Sequence, residues 1–114
     1  MKFNELVKAR YICRKFYERH VEEEKLRYIL EAGRLAPTAK NAQPVTVLVL
    51  KSEKSLDKLR ALTQMTYNSR LVLVVCYDTS ISWKATNYND NFDSGDMDAS
   101  IVATHMVLAA KDVG

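Results

Sequence analysis

The chain has 114 residues and a mass of 13.0 kDa, which fits one small domain near the size where burial becomes marginal without a partner or ligand. Apolar residues make up 47% and charged residues 27%, a balance that excludes a disordered or low-complexity chain. Seventeen Lys and Arg against fourteen Asp and Glu leave +3, short of the clustered excess of a dedicated nucleic-acid binder.

The longest apolar runs, Val47–Leu50 and Leu71–Cys76, are far below a membrane span, and Met1 to Glu5 lacks a signal peptide's apolar stretch. The expectation is a cytoplasmic protein with no membrane and no nucleic-acid partner. Cys13 and Cys76 lack CxxC spacing and a nearby His, so neither a disulfide nor a metal is expected. Cys76 ends an apolar run and reads as a small buried hydrophobe, whereas Arg10 and Arg14 flank Cys13 and can lower its thiol pKa.

In chain order, Phe3, Leu6, Val7 and Arg10 predict a short first helix. Glu22 to Leu35 predicts a better one, with Leu26, Ile29 and Leu30 on one face and Gly33 allowing a neighbouring element to approach closely. Glu22, Glu23 and Glu24 suit its first turn, Glu23 can pair with Arg27, and Pro37 stops it. Val45 to Leu50 and Leu71 to Tyr77 read as strands buried on both faces. Between them Ser52 caps a helix carrying Leu56, Leu59, Leu62 and Met65. Helices layered on a sheet follow.

Asp78 to Asp96 is polar, with Asn87, Asn89, Asn91 and Gly95 as turn formers around the single Trp83. It reads either as a lid at a ligand mouth or as a plain surface excursion. Met97 to Val113 predicts a helix encircled by apolar groups, as in a central or interface helix, with small Ala103, Ala109 and Ala110 permitting close packing. Asp98 and His105 share a face about 10 Å apart along its axis, too far for a direct bond, and read as a capping Asp and a satisfied interface His. Gly114 suits a helix C-cap. Two apolar strands are fewer than a stable sheet layer needs, so further strands are expected from additional sequence or another subunit.

With three glycines in the chain, there is no G-x-G-x-x-G turn or Walker loop, and any phosphate is expected on side chains. Arg10 and Arg14 can present guanidinium forks to one, or form a solvated surface pair. Residues 36–44, Ala-Pro-Thr-Ala-Lys-Asn-Ala-Gln-Pro, carry Thr38, Asn41 and Gln43, whose groups suit the polar edge of a flat ring; by composition alone the segment is also an ordinary helix-to-strand loop.

Arg10-Tyr11-Ile12-Cys13-Arg14-Lys15-Phe16 resembles the R-x-S-x-R-x-F segment of the FMN-dependent nitroreductase family. The 36–44 segment is similar to that family's A-P-S-x-x-N-x-Q-P. The Trp83-Lys84 loop and Asp98 through Gly114 resemble its small single-domain branch. The resemblance implies an α/β (α+β) fold, a three-layer α/β/α sandwich, with residues 1–114 forming a single domain whose sheet is incomplete. It implies further structure past Gly114, including a glycine-rich strand segment and, in many members, another basic phosphate contact.

It also implies a homodimer with FMN at the interface. Arg10 and Arg14 would meet the phosphate end, and the Tyr11 and Ile12 backbone would line the flavin. Pro37, Thr38, Ala39 and Asn41 would approach from the partner subunit, with Gln43 a further cofactor-binding candidate. NAD(P)H would be the electron donor, and a nitroaromatic, quinone or related small molecule the acceptor. Two positions depart from the pattern: Ile12 stands where the family usually has Ser, and Val45 replaces the common aromatic after Gln43-Pro44. The alternatives are a different flavin chemistry on the same fold, a flavin-binding or dimerisation module without turnover, and a small nucleic-acid-binding domain. For the last, Tyr11, Phe16, Tyr17 and Tyr28 form no recognisable RNA-stacking motif.

Overall fold

The computed structural model describes residues 1–85 and 91–114. In chain order it contains α1 (Phe3–Ala9), α2 (Glu23–Arg34), a 3-10 turn (Ala39–Asn41), β1 (Val45–Leu50), α3 (Glu53–Leu62), β2 (Val72–Tyr77) and α4 (Gly95–Asp112). The result is an α+β fold. Each helix expected from the sequence is present, with boundaries moved by a few residues.

β1 and β2 pair antiparallel, Val45 opposite Tyr77 through Leu50 opposite Val72. This register puts Val45 and Val47 on the same face as Val75 and Leu73, because strand side chains alternate between faces. That face packs on the core cluster of Ile29 from α2 and Val102, Met106 and Ala109 from α4. Gly33 lets the two helices meet closely: a Cβ built there would lie 2.9 Å from Met106 Cγ and 3.3 Å from Val102 Cγ1. The helix pair is further tied by Tyr28 Oη donating to Asp112 Oδ2 at 2.7 Å, while His105 Nδ1 lies 3.3 Å from the Ala32 carbonyl.

The expectation of strands buried on both faces fails. Thr46 and Leu48 are exposed and every residue of β2 is only half-buried. Cys76, read as a buried hydrophobe, shares this intermediate exposure, and both cysteines are free thiols. Apolar β-branched runs report a capacity for two-sided burial, which requires a covering layer. α3 starts as expected, with Ser52 Oγ accepting from Ser55 N at 3.1 Å, but it buries Leu56 alone. It ends at Leu62, which is 84% exposed, and Met65 lies beyond it at 75%. Thr63 turns extended, so the apolar spacing that ran on to Met65 is not continued as helix.

The polar stretch after β2 folds back on itself. Lys84 bridges Asp93, Ala85 N donates to the Phe92 carbonyl at 3.0 Å, and the Trp83 and Phe92 rings meet edge to face at 6.1 Å. Asn87 and Asn89, expected as turn formers, lie outside the described residues; Gly95 opens α4 instead of making a turn.

The chain leaves much surface open. Its accessible area is 8683 Å², against roughly 6,300 Å² for a compact monomer of this mass. Its radius of gyration is 15.8 Å, where about 13 Å is typical for this length. Exposed Phe3, Tyr11, Ile12, Leu48, Met97 and Val107 carry part of the excess.

Candidate functional site

The 36–44 loop begins where α2 stops. Pro37 and the extended Thr38 (φ −132°, ψ 157°) lead into the 3-10 turn, within which Asn41 N donates to the Thr38 carbonyl at 2.9 Å. Lys40, Asn41 and Gln43 have φ of 53°, 53° and 54°. None is glycine, and each left-handed residue costs on the order of 1 kcal/mol, least for Asn.

Side chains hold this conformation. Thr38 Oγ1 accepts from Gln43 N at 3.0 Å, and Gln43 Nε2 donates to Asn41 Oδ1 at 3.0 Å. The three polar groups expected to face a ligand therefore first bond to one another. Asn41 Nδ2 and Gln43 Oε1 retain hydrogen-bonding capacity for an incoming group. Below the loop is a cavity of about 270 Å³ lined by Gly33, Ala36, Thr38, Gln43, Val45 and Val102, among others.

A further anchor comes from α4. Asp98, 2% exposed, accepts from Ala39 N at 2.9 Å through Oδ1 and from Ser94 Oγ at 2.8 Å through Oδ2. The capping role expected of Asp98 is real, but it caps the 3-10 turn and not its own helix. No local pattern announces this, because the partner lies fifty-nine residues away. Beside it, the Asp93 carboxyl is held below the usual carboxylate range, chiefly by the Ser82 hydroxyl, then by Gly95 N donating to Asp93 Oδ1 at 2.7 Å, and by Lys84. The Asp96 carboxylate beside Tyr77 pushes that phenol up.

The arginine segment leaves α1 in extended conformation after Arg10, whose N donates to the Leu6 carbonyl at 3.1 Å. Tyr11 and Ile12 are exposed, and Cys13 Sγ donates to the Lys15 carbonyl at 2.9 Å. Among the described residues the Arg10 and Arg14 side chains make no hydrogen bond or ion pair, unlike Arg27, Arg34, Arg60 and Arg70, each of which meets a carboxylate. The Lys111 ammonium sits over the Tyr11 ring, 5.2 Å from its centroid.

The two segments thus attach to opposite ends of one helix, the 36–44 loop at Asp98 and the arginine segment at Lys111. Those positions are about 20 Å apart along α4 at 1.5 Å per residue. Within a single copy of the chain the two candidate groups do not converge.

A profile of the Nitroreductase family matches residues 7–71, more than half of the chain. The chain belongs to the nitroreductase family. A crystal structure of a nitroreductase family protein from Clostridium difficile 630 superposes with a TM-score of 0.93 at 38% identity, covering 100% of this chain and 64% of that one. A Desulfovibrio desulfuricans protein with a nitroreductase name, solved in complex with FMN, gives a TM-score of 0.79 at 27% identity, covering 96% of this chain and 62% of its own. An Archaeoglobus fulgidus protein bearing an NADH dehydrogenase/NAD(P)H nitroreductase name is 30% identical over 96% of this chain and 61% of itself. The chain therefore spans about three fifths of the length of the relatives it matches. These likenesses also bear out the nitroreductase fold expected from the sequence motifs. Among the described residues, no helix is long and apolar enough to cross a membrane.

Proposed function

We propose that this chain is the FMN-binding part of a homodimeric, NAD(P)H-dependent oxidoreductase that acts on a nitroaromatic, quinone or similar small acceptor. The observation that carries the reading is the pair of unengaged guanidinium groups, Arg10 and Arg14, at one end of α4 and a strained, amide-bearing loop at the other. In two copies whose α4 helices run antiparallel, the arginine segment of one meets the 37–43 loop of the other. The exposed Met97 and Val107 and the small Ser100 and Thr104 give α4 a face suited to that contact. An accessible area well above that of a compact monomer leaves surface both for a second copy and for the further sequence that completes the sheet.

The residues fit the cofactor's chemistry. Arg10 and Arg14 suit a phosphate because guanidinium forks bind its oxygens bidentately. The backbone of the exposed Tyr11 and Ile12 would line the flat ring, with Pro37, Thr38, Ala39 and Asn41 of the second copy approaching its polar edge and Gln43 bracing Asn41. Bound FMN supplies the two-electron transfer between nicotinamide and acceptor; the protein supplies placement and exclusion of water. Residues 1–114 would then be one domain whose sheet is completed by further sequence, in a cytoplasmic protein.

The test uses the intact reading frame: purify it, record the flavin spectrum, and add NADH or NADPH anaerobically. A yellow protein bleached by either nicotinamide is expected. No flavin uptake after added FMN refutes the reading. A yellow protein that neither nicotinamide bleaches points to the binding module without turnover, the alternative that Ile12 in place of the family's usual Ser favours.

A further inference from the structure

We propose that Asp98 is the positioning residue for the flavin-facing loop, fixing through Ala39 N where the strained turn sits against α4. The inference rests on assigning residues 37–43 to the flavin ring.

The Asp98 carboxylate is 2% exposed and faces two donors, Ala39 N at 2.9 Å and Ser94 Oγ at 2.8 Å. A buried carboxylate is a poor choice for stability alone, since its desolvation is only partly offset by two hydrogen bonds. Its position also rules out the commoner role: with Ser94 as N-cap of α4, Asp98 lies beyond the N–H groups that an N-terminal carboxylate caps.

The bonds inside the loop, from Gln43 N to Thr38 Oγ1 and from Gln43 Nε2 to Asn41 Oδ1, stabilise its shape but not its location. Among the described residues, the hydrogen bond from Ala39 N to Asp98 is the one that joins residues 37–43 to another element. Ser94 in turn ties Asp98 to the Trp83 segment, because Ser94 Oγ accepts from Trp83 N at 3.2 Å. Since α4 also supplies the proposed dimer face, a loop fixed to α4 is fixed relative to the second copy. Asp98 thereby sets where Asn41 meets a ring that the other copy holds by its phosphate.

The experiment compares wild type, Asp98→Ala and Asp98→Asn as intact proteins, measuring FMN affinity by fluorescence titration and the visible circular dichroism of bound flavin. Asp98→Ala is expected to weaken FMN binding on the order of tenfold, as for loss of a charge-assisted hydrogen bond, and to alter the flavin dichroism. Asp98→Asn keeps an oxygen facing Ala39 N and is expected to restore both. Should Asp98→Ala fail to fold, Ala39→Pro is compared with Ala39→Ser. Both alter the same flavin-facing side chain, but only proline, tolerated at a first-turn position preceded by an extended residue, removes the N–H that Asp98 accepts from, so the losses are expected in Ala39→Pro and not in Ala39→Ser. Wild-type affinity and dichroism in folded Asp98→Ala, or in folded Ala39→Pro, overturn the proposal while leaving the flavin reading intact. An Asp98→Asn protein as impaired as Asp98→Ala also overturns it. A wild type that takes up no FMN overturns both.

Discussion

The contact between Gly95 and Tyr77 predicts an asymmetry between two glycines that sequence alone does not distinguish. A Cβ at Gly95 would lie 2.1 Å from Tyr77 Cε2, 2.2 Å from Cδ2 and 2.6 Å from Cζ, all atoms of a rigid ring. At Gly33 the nearest atoms are Met106 Cγ at 2.9 Å and Sδ at 3.0 Å, part of a flexible side chain that can shift. Gly95→Ala must therefore swing the ring away from its seat beside Asp96 or push α4 off the end of β2. Overpacking of this kind costs about 1–3 kcal/mol, and replacing glycine at a helix start returns under about 1 kcal/mol. The net loss is about 1–2 kcal/mol, which at roughly 4 °C per kcal/mol for a chain of this size lowers Tm by about 4–8 °C. Gly33→Ala gains about 1 kcal/mol of helix propensity against repacking of Met106, leaving a change within about 1 kcal/mol of zero. Thermal and urea unfolding of both variants are the assays, with Gly95→Ala repeated in a Tyr77→Ala background, where its cost should vanish. A Gly95→Ala protein as stable as wild type, or an unchanged cost without the ring, would refute the reasoning.

Ser52→Ala removes the side-chain cap of α3 and should cost about 0.5–2 kcal/mol by urea denaturation. Because α3 buries little beyond Leu56, hydrogen exchange should rise first in residues 53–56. Arg14→Ala should weaken FMN binding by about 1.5–3 kcal/mol in a flavin titration if its guanidinium holds the phosphate; unchanged affinity would refute that assignment. Asp93 and Asp78 have folded pKa values below their unfolded ones, through the Ser82 and Ser80 hydroxyls first. In acid the unfolded chain binds more protons, so their contribution is present above about pH 4 and lost as pH falls through the folded values. Asp93→Asn should accordingly flatten the acid limb of a stability-versus-pH curve, and an unchanged limb would contradict the shift. On the alkaline side, hydrogen bonding to Asp112 raises the Tyr28 pKa. That stability is present below about pH 10 and lost above it, and Tyr28→Phe should remove this dependence.

Much of the fold was legible because its signals are local. The face of Leu26, Ile29 and Leu30, the Ser52 cap and the two β-branched runs each depend on neighbours within a few residues, and each element appears where expected. The approach allowed by Gly33 was legible for the same reason, since a missing side chain on an apolar helix face leaves room whichever element fills it. What failed was inference from apolarity to burial: Leu62, Met65, Leu48 and Cys76 are apolar, but the described residues supply no layer to cover them fully. The candidate site was half legible. Its residue types stood in the sequence, but the bonding of Thr38, Asn41 and Gln43 to one another did not.

The sequence by itself determined which segments become helix or strand and, through two short motifs, the family. Both follow from side-chain chemistry repeated over a few residues. Only the tertiary structure decided that Asp98 bonds Ala39, that Tyr77 requires glycine at position 95, and that the arginine segment and the 36–44 loop lie at opposite ends of α4. Those facts depend on how elements far apart in the chain come to rest against each other, and hydrogen bonds and close contacts of that range leave no periodic trace in the order of residues.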